Sequence, residues 1–207
     1  MDSKAERLFL RLIDVGERLF IVLLFAGLAI RICSSLRLHP YNALLLVSEG
    51  LLIVLVLIRR DAGAAITTRP LDWIIAILGT TLPLLVRPGG TPLAPPLVGS
   101  ALMLGGLAIS VWAQAYLRMS YGVAAANRGV VEGGPYRFVR HPMYAGYFVT
   151  FVGFLLVNPL AWNLAVYLLA AVFQVARIFA EEAVLSKDPA YAAMMQRVRH
   201  RLIPRVF

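Results

Sequence analysis

The sequence has a single cysteine, Cys33, and only three histidines, His39, His141 and His200. One thiol excludes an intrachain disulfide and any zinc site built from several thiolates. No two histidines have the spacing of a helical metal-binding pair, so we expect no metal site. Cys33 lies within or beside the first apolar run and is expected to face lipid or a neighbouring helix.

Charged residues are scarce, at 15% of the chain, whereas 60% of residues are hydrophobic and the mean hydropathy is +0.77. This composition is more apolar than that of a soluble globular domain. The net charge of +9 does not indicate nucleic-acid binding, because the basic residues stand at the ends of apolar runs. The first run is long and no small-residue cleavage pattern follows it, so no cleaved signal peptide is expected.

Six apolar runs predict an all-α, polytopic integral membrane protein with about six transmembrane helices. The runs cover roughly 17–36, 41–58, 71–87, 95–117, 143–157 and 160–180. Asn158-Pro159 separates the last two, which predicts a tight C-terminal helical hairpin, followed by a cytoplasmic C-terminal helix. Pro83 predicts a kink in the third run, and Gly105-Gly106 predict a close helix crossing in the fourth.

The distribution of lysine and arginine predicts the orientation in the membrane. With the N-terminus inside, 17 of the 20 basic residues fall on the cytoplasmic side, and only Arg31, Arg37 and Arg87 fall outside. Both termini are therefore expected in the cytoplasm. Residues 2–15 mix charged and apolar positions, which fits either an amphipathic interfacial helix or an extension of the first span.

The stretch GGPYRFVRHPMYAGY at 133–147 concentrates arginine, histidine, tyrosine and glycine at the start of the fifth run. His141-Pro142 predicts a helix start, where an amide-rich amino end can hold a carboxylate. Glu181, at the end of the sixth run, can hold an ammonium group. Together these features predict a pocket for a zwitterion that opens towards the cytoplasm.

Other polar positions have alternative interpretations. Arg177 precedes Glu181 by four residues on one helical face, as a simple interfacial ion pair or as part of the site. Glu49, inside the second run, is interpreted as a buried hydrogen-bonding group rather than a substrate contact. Gln114 fits either the same cavity or an interhelical hydrogen bond. His200 is expected in a solvated or headgroup-facing basic cluster.

Two further patterns concern the walls of the predicted pocket. Tyr136 and Tyr144 offer ring faces to a purine or a cation. Asp188-Pro189 predicts the start of a C-terminal helix, which folds back as a lid or lies on the surface. Its apolar stripe consists of Tyr191, Met194, Met195 and Val198.

The motif GPYRFVRHPMYAG at 134–146, followed by EEAVL at 181–185, Tyr191 and RLIP at 201–204, resembles the isoprenylcysteine carboxyl methyltransferase family. The wider group includes membrane phospholipid methyltransferases. The combined order and spacing of these motifs make the resemblance specific to the C-terminal half of the chain.

The resemblance implies a membrane-embedded methyltransferase that uses S-adenosyl-L-methionine. The NRGVV stretch ending at Val131 is typical of bacterial members. No internal repeat is visible, so we interpret 1–207 as a single membrane domain. Residues 1–117 would form N-terminal helices on the substrate or lipid side, and residues 118–207 would form the cofactor-binding half.

The family's site residues transfer to matching positions of this sequence. The resemblance implies that Arg177 orients the substrate. It also implies that the cofactor is held by Arg128, Gly129, Val130, Val131, Tyr136, His141, Pro142, Met143, Tyr144, Glu181 and Glu182.

The expected chemistry is direct in-line methyl transfer to a lipophilic acceptor, accelerated mainly by positioning and exclusion of water. A carboxylate of an isoprenylcysteine-like or other lipid is favoured, because the sequence nominates no clear base for an amine. Phospholipid N-methylation is the alternative. Interpretations of another class are an NADPH-dependent reductase of the sterol-reductase type and a non-enzymatic membrane scaffold. The expected partners are the lipid bilayer, as in the bacterial inner membrane, and a lipophilic substrate, without nucleic acid or metal.

Overall fold

The computed structural model describes residues 3–58, 69–117, 129–204 and 206–207, and this part of the chain is helical with no strand. The α-helices are α1 (Ser3–Cys33), α2 (Ala43–Ile58), α3 (Pro70–Thr81), α4 (Pro96–Leu117), α5 (Pro142–Val157), α6 (Ala161–Leu185) and α7 (Pro189–Arg197). Short 3-10 turns occupy Pro40–Asn42, Leu82–Leu85 and Gly134–Arg137. The all-helical prediction is thus confirmed for the described residues.

The proline positions explain where several elements begin and end. Pro70, Pro96, Pro142 and Pro189 each occupy the first helical position, where a missing N–H breaks no intrahelical bond. Pro83 does more than kink the third run, because α3 ends at Thr81 and a 3-10 turn continues the chain.

The segment before the first apolar run continues that run without a break. Helix α1 begins at Ser3 and ends at Cys33, so from Ser3 onward the backbone of the 2–15 segment extends the first span. Asp2 lies outside the described residues. Cys33 is exposed at the end of this helix.

Helices α4 and α5 cross at very short range because glycines face one another. A Cβ at Gly106 would lie 2.5 Å from the carbonyl oxygen of Gly146, and a Cβ at Gly146 would lie 2.6 Å from that of Gly106. Gly99 and Gly153 repeat this arrangement, with a Cβ at Gly153 lying 2.7 Å from the Gly99 oxygen. Gly105, by contrast, faces open space. The close crossing predicted for the fourth run is present, with Gly106 at the contact.

Substitution of Gly146 by leucine should therefore separate α4 from α5. We expect the free energy of unfolding to fall by at least about 1–3 kcal/mol, because the contacting atoms are backbone atoms that cannot move without distorting their own helix. The thermal midpoint of detergent-purified protein measures this effect. Gly105→Leu is the matched control, since no atom lies within 4 Å of the added Cβ. Equal midpoints for the two variants would contradict the glycine-mediated crossing.

An asparagine cluster ties together the loops at one end of the bundle. Asn158 Nδ2 donates to Asn42 Oδ1 at 2.8 Å, and the Gly89 amide donates to Asn158 Oδ1 at 2.9 Å. Asn163 pairs with the backbone of Arg87 in both directions, at 2.7 and 2.9 Å. The 3-10 turn before α2, the loop before α4 and the α5–α6 turn are thereby joined by buried, satisfied amides.

Two described helices, α4 and α6, are long and apolar enough to cross a membrane, each with a mean hydropathy of 1.7 over its best window. The segments Pro70–Leu85 and Pro142–Val157 are apolar but shorter. A perpendicular span needs about twenty residues. Length and composition alone therefore qualify fewer helices than the six predicted spans.

Candidate functional site

A cavity of about 510 Å³ lies where the segment before α5, the first turn of α5, the end of α6 and helix α7 meet. We call it the hairpin cavity. Its lining includes most of the residues predicted for the cofactor, namely Gly129, Val130, Val131, Tyr136, His141, Met143, Tyr144 and Glu181. Leu117, Arg140, Leu185, Tyr191 and Met194 complete it.

The backbone before α5 is shaped by a tight turn and by pairing with the C-terminal segment. Gly134 has a φ of +56° and lies against the ring of Tyr116, so a side chain there would be strained and would clash. The amides of Arg140 and His141 donate to the carbonyls of His200 and Arg201, at 2.9 and 2.8 Å. These contacts fix the position from which His141 enters the cavity.

Glu181 is the carboxylate of the hairpin cavity, and three side chains converge on it. Tyr144 donates a hydrogen bond to Glu181 Oε1, and Arg177 Nε lies 3.5 Å from the same oxygen. His141 Nδ1 lies 3.9 Å from Glu181 Oε2. The imidazole and the carboxylate thus share one cavity, and the side chain of Glu181 keeps 20% exposure, enough to meet a ligand.

Glu182 has a different environment, although it is the next residue. Arg140 Nε and Arg201 Nε lie 2.8 and 2.9 Å from its two oxygens, and His141 Nε2 lies 3.2 Å away. Consecutive residues on an α-helix point about 100° apart, which separates the two carboxylates. Glu182 is not among the residues that line the hairpin cavity, and its contact with the cofactor stays a prediction. It anchors the C-terminal segment to the start of α5 instead.

Arg140 strengthens this anchor and is a site residue that the sequence reasoning did not select. Its Nη1 donates to the carbonyls of Val198 and Arg199, at 3.0 and 3.1 Å. Its position next to His141, inside the GPYRFVRHP motif, is the signal that could have identified it. The guanidinium is buried, and the Glu182 carboxylate balances its charge.

Helix α7 covers one side of the hairpin cavity, in the position predicted for a lid. Its N-cap Asp188 accepts a hydrogen bond from the Ala190 amide at 2.9 Å. The buried side chains of Tyr191 and Met194 face the cavity. Within the described part of the chain, no hydrogen-bonding partner reaches the buried Tyr191 hydroxyl. A ligand that accepts a hydrogen bond would satisfy this donor.

Burial controls the protonation of the two phenols in this wall. Burial raises the pKa of Tyr136, and the Glu181 carboxylate raises it further. Burial also raises the pKa of Tyr191, reinforced by Glu182. Both phenols therefore remain neutral at physiological pH and can donate a hydrogen bond without adding negative charge.

The remaining predicted residues lie elsewhere. Pro142 is buried at the start of α5 but does not line the hairpin cavity, and Arg128 lies outside the described residues. Arg177 lines a separate, deeper cavity. Gln114 Nε2 of α4 lies 3.5 Å from the Tyr147 hydroxyl of α5. This contact agrees with the second interpretation of Gln114, an interhelical hydrogen bond. Among the described residues, no group of three or more His, Cys, Asp or Glu could hold a metal ion.

Residues 95–192 match the family model of phospholipid methyltransferases. The matched span runs from the residue before α4 into α7 and contains His141, Glu181 and Tyr191. The match covers slightly less than half of the chain and supports a similarity of this segment to membrane methyltransferases. No curated protein matches the chain.

Proposed function

We propose that the protein is an integral membrane methyltransferase that uses S-adenosyl-L-methionine to methylate a lipophilic acceptor. One observation carries this proposal: His141, Glu181 and the first turn of α5 surround a single cavity inside the segment that matches the phospholipid methyltransferase family. A methyltransferase of this family acts on lipid, which agrees with the apolar helices that flank the cavity.

The chemistry of the hairpin cavity fits the cofactor. The Glu181 carboxylate can pair with its ammonium group, and the amino end of α5 favours its carboxylate. Tyr191 supplies a buried hydroxyl that lacks a partner among the described residues, and Met143 and Leu185 supply apolar walls for the adenosine. When bound, the cofactor supplies a methyl group on a positively charged sulfur.

The residues of the chain would promote transfer by position rather than by covalent participation. Glu181 and Tyr144 are held together by a hydrogen bond, and Arg177 stacks over the Tyr144 ring, 5.5 Å from its centroid. Packed side chains of this kind fix the donor site and exclude water from it.

Carboxyl O-methylation of an isoprenylcysteine-like or other lipid acid is one candidate reaction, and Arg177 is the residue that supports it. A guanidinium that lines the deeper cavity can pair with an acceptor carboxylate. However, Arg177 already contacts Glu181 at 3.5 Å and Thr80 Oγ1 at 3.1 Å. Its charge is therefore partly matched before any acceptor arrives, which makes N-methylation an equal candidate.

We also propose six spans with both termini in the cytoplasm, as in a bacterial inner membrane. The proposal is supported by Arg31 at the end of α1, which donates to the carbonyl of Val86 at 3.2 Å. The charge distribution assigns both segments to the same, outer side. Arg140 lines the hairpin cavity, and Arg201 pairs with Glu182, the neighbour of the cavity residue Glu181. Tilted or slightly short helices such as α2 and α5 would still span a locally thinned bilayer.

Calorimetry of the detergent-purified protein tests the cofactor. We expect saturable binding of S-adenosyl-L-methionine and none of NADPH. Incubation with methyl-labelled cofactor and a total lipid extract then tests the reaction, because an ester label is released by mild base and an N-methyl label is retained. Saturable NADPH binding alone would favour a reductase, and binding of neither compound would favour a scaffold.

A further inference from the structure

Three arginines lie at the end of the bundle that the asparagine cluster ties together. Arg31 is in the last turn of α1, Arg37 follows in the next connection, and Arg87 lies in the connection before α4. Arg31 Nε donates to the carbonyl of Val86 at 3.2 Å, and its Nη2 donates to that of Leu84. Arg31 is therefore held beside the backbone of Arg87, and the two positive charges repel each other.

This end of the bundle has no carboxylate to balance the arginines. The connections 34–42, 82–95 and 158–160 contain neither Asp nor Glu. The nearest carboxylate in sequence, Glu49, is buried within α2 and lines the deeper cavity, and the hydrogen bond expected of it is not found among the described residues. The ion pairs of the described residues involve neither Arg31 nor Arg87. Arginines on the outer side also oppose the usual charge distribution, so a partner from outside the chain is needed to balance them.

Arg87 is held in place by its neighbours, but its charge is not paired. Asn163 bonds the Arg87 backbone in both directions, at 2.7 and 2.9 Å. The guanidinium lies over the exposed ring of Trp162, 5.1 Å from its centroid, and makes no hydrogen bond or ion pair within the described part of the chain. Trp162 Nε1 in turn donates to the carbonyl of Leu85 at 2.9 Å. The planar donors of Arg87 therefore remain available to a ligand at the surface. We call Arg31, Arg87 and Trp162 the arginine patch.

The chemistry of the arginine patch fits the headgroup of a lipid with net negative charge. A guanidinium presents paired donors that match the oxygens of a phosphate. A zwitterionic headgroup would also bring an ammonium group, for which this end of the bundle offers no carboxylate. The side chains of Ile30, Trp162 and Leu164 are exposed and apolar, so they can contact an acyl chain beside the headgroup. Tryptophan is enriched at the same membrane–water boundary. These features favour a phospholipid over a free phosphate ion.

We propose that the arginine patch binds the phosphate of an anionic phospholipid in the outer leaflet. The phosphate accepts hydrogen bonds from the Arg87 guanidinium and from Arg31 Nη1, which has no hydrogen bond among the described residues. One negative charge between the two guanidinium groups offsets their repulsion. The bound lipid thereby links the end of α1 to the start of α6. This site is separate from the hairpin cavity and does not depend on the cofactor or the acceptor; only the leaflet follows from the proposed orientation.

Native mass spectrometry of the detergent-purified protein tests the site, because it counts the lipids bound to each molecule. The wild type is titrated with dioleoyl phosphatidylglycerol and with dioleoyl phosphatidylcholine, and inorganic phosphate is added at equal concentration as a competitor. We expect preferential binding of phosphatidylglycerol that inorganic phosphate does not displace. Arg87→Gln should bind phosphatidylglycerol at least about tenfold more weakly, because it loses a charge-assisted contact with the phosphate. If Arg87→Gln does not fold, Arg87→Met, which also removes the charge, gives the same comparison.

Arg37→Gln is the matched control, because it removes the same charge from the same end of the bundle but from a residue outside the patch. It should bind phosphatidylglycerol like the wild type. Equal losses in the Arg37 and Arg87 variants would overturn the proposal, since they would indicate a general effect of surface charge. Equal binding of the two lipids, unchanged binding by Arg87→Gln, or displacement of the lipid by inorganic phosphate would overturn it as well.

Discussion

Replacement of Glu181 by alanine is expected to weaken S-adenosyl-L-methionine binding by about 10- to 100-fold. Glu181 is the carboxylate lining the hairpin cavity, and its side chain remains partly exposed towards that space. Loss of a charge-assisted hydrogen bond to an ammonium group corresponds to about 1.5–3 kcal/mol. Isothermal titration calorimetry of the detergent-purified variant measures the change directly.

The Glu181 experiment needs a control for indirect effects, because the same carboxylate contacts Tyr144 and Arg177. Glu181→Gln retains a side chain that can accept the Tyr144 hydrogen bond but removes the charge, and it should lose most of the affinity. Glu132→Gln should bind the cofactor like the wild type. Full affinity in both Glu181 variants would show that the cofactor's ammonium group is held elsewhere.

Replacement of Glu182 by alanine is expected to destabilise the protein by about 3–5 kcal/mol without removing a ligand contact. The change leaves the buried guanidinium of Arg140 without its carboxylate and frees Arg201 from the C-terminal anchor. The thermal midpoint in detergent measures the loss. Cofactor affinity should fall as a consequence, because the C-terminal segment and α7 help to form the cavity.

A second arginine–glutamate pair on the same face provides the comparison. Arg197 Nη2 lies 2.7 Å from Glu132 Oε2, but the two side chains are 63% and 42% exposed. Such surface pairs contribute about 0–1 kcal/mol, so Glu132→Ala should barely change the midpoint. Comparable losses in the two variants would mean that the Glu182 cluster is as well solvated as the surface pair.

Local signals predicted the elements of the fold well. His141-Pro142 lies where α5 begins, Asn158-Pro159 lies between α5 and α6, and Gly106 lies at the α4–α5 contact. Each depends on backbone chemistry within a few residues, which the sequence displays directly. The number of spans is less accessible, since α2 and α5 are 16 residues long and fall below the usual length of a spanning helix.

Features that depend on the packing of distant helices could not be predicted. The sequence alone does not determine which face of α2 is turned towards the interior, so Glu49 could not be placed in one cavity lining with Gln174 and Arg177. The different roles of Glu181 and Glu182 likewise depend on the rotation of α6 against the start of α5. The motif named the segments that line the hairpin cavity, and only three-dimensional packing separated Glu181, which lines it, from Glu182, which pairs with Arg140 and Arg201.

The asparagine cluster has a mechanical consequence. Asn42, Asn158 and Asn163 join three connections through short, fully buried amide contacts at the end remote from the hairpin cavity. At the opposite end the buried Glu182 cluster holds the C-terminal segment, and helix α7 covers the hairpin cavity mainly with Tyr191 and Met194. Motion that admits a tailed lipid would therefore displace α7 and the segments around the hairpin cavity, while the loops joined by the asparagines stay in place.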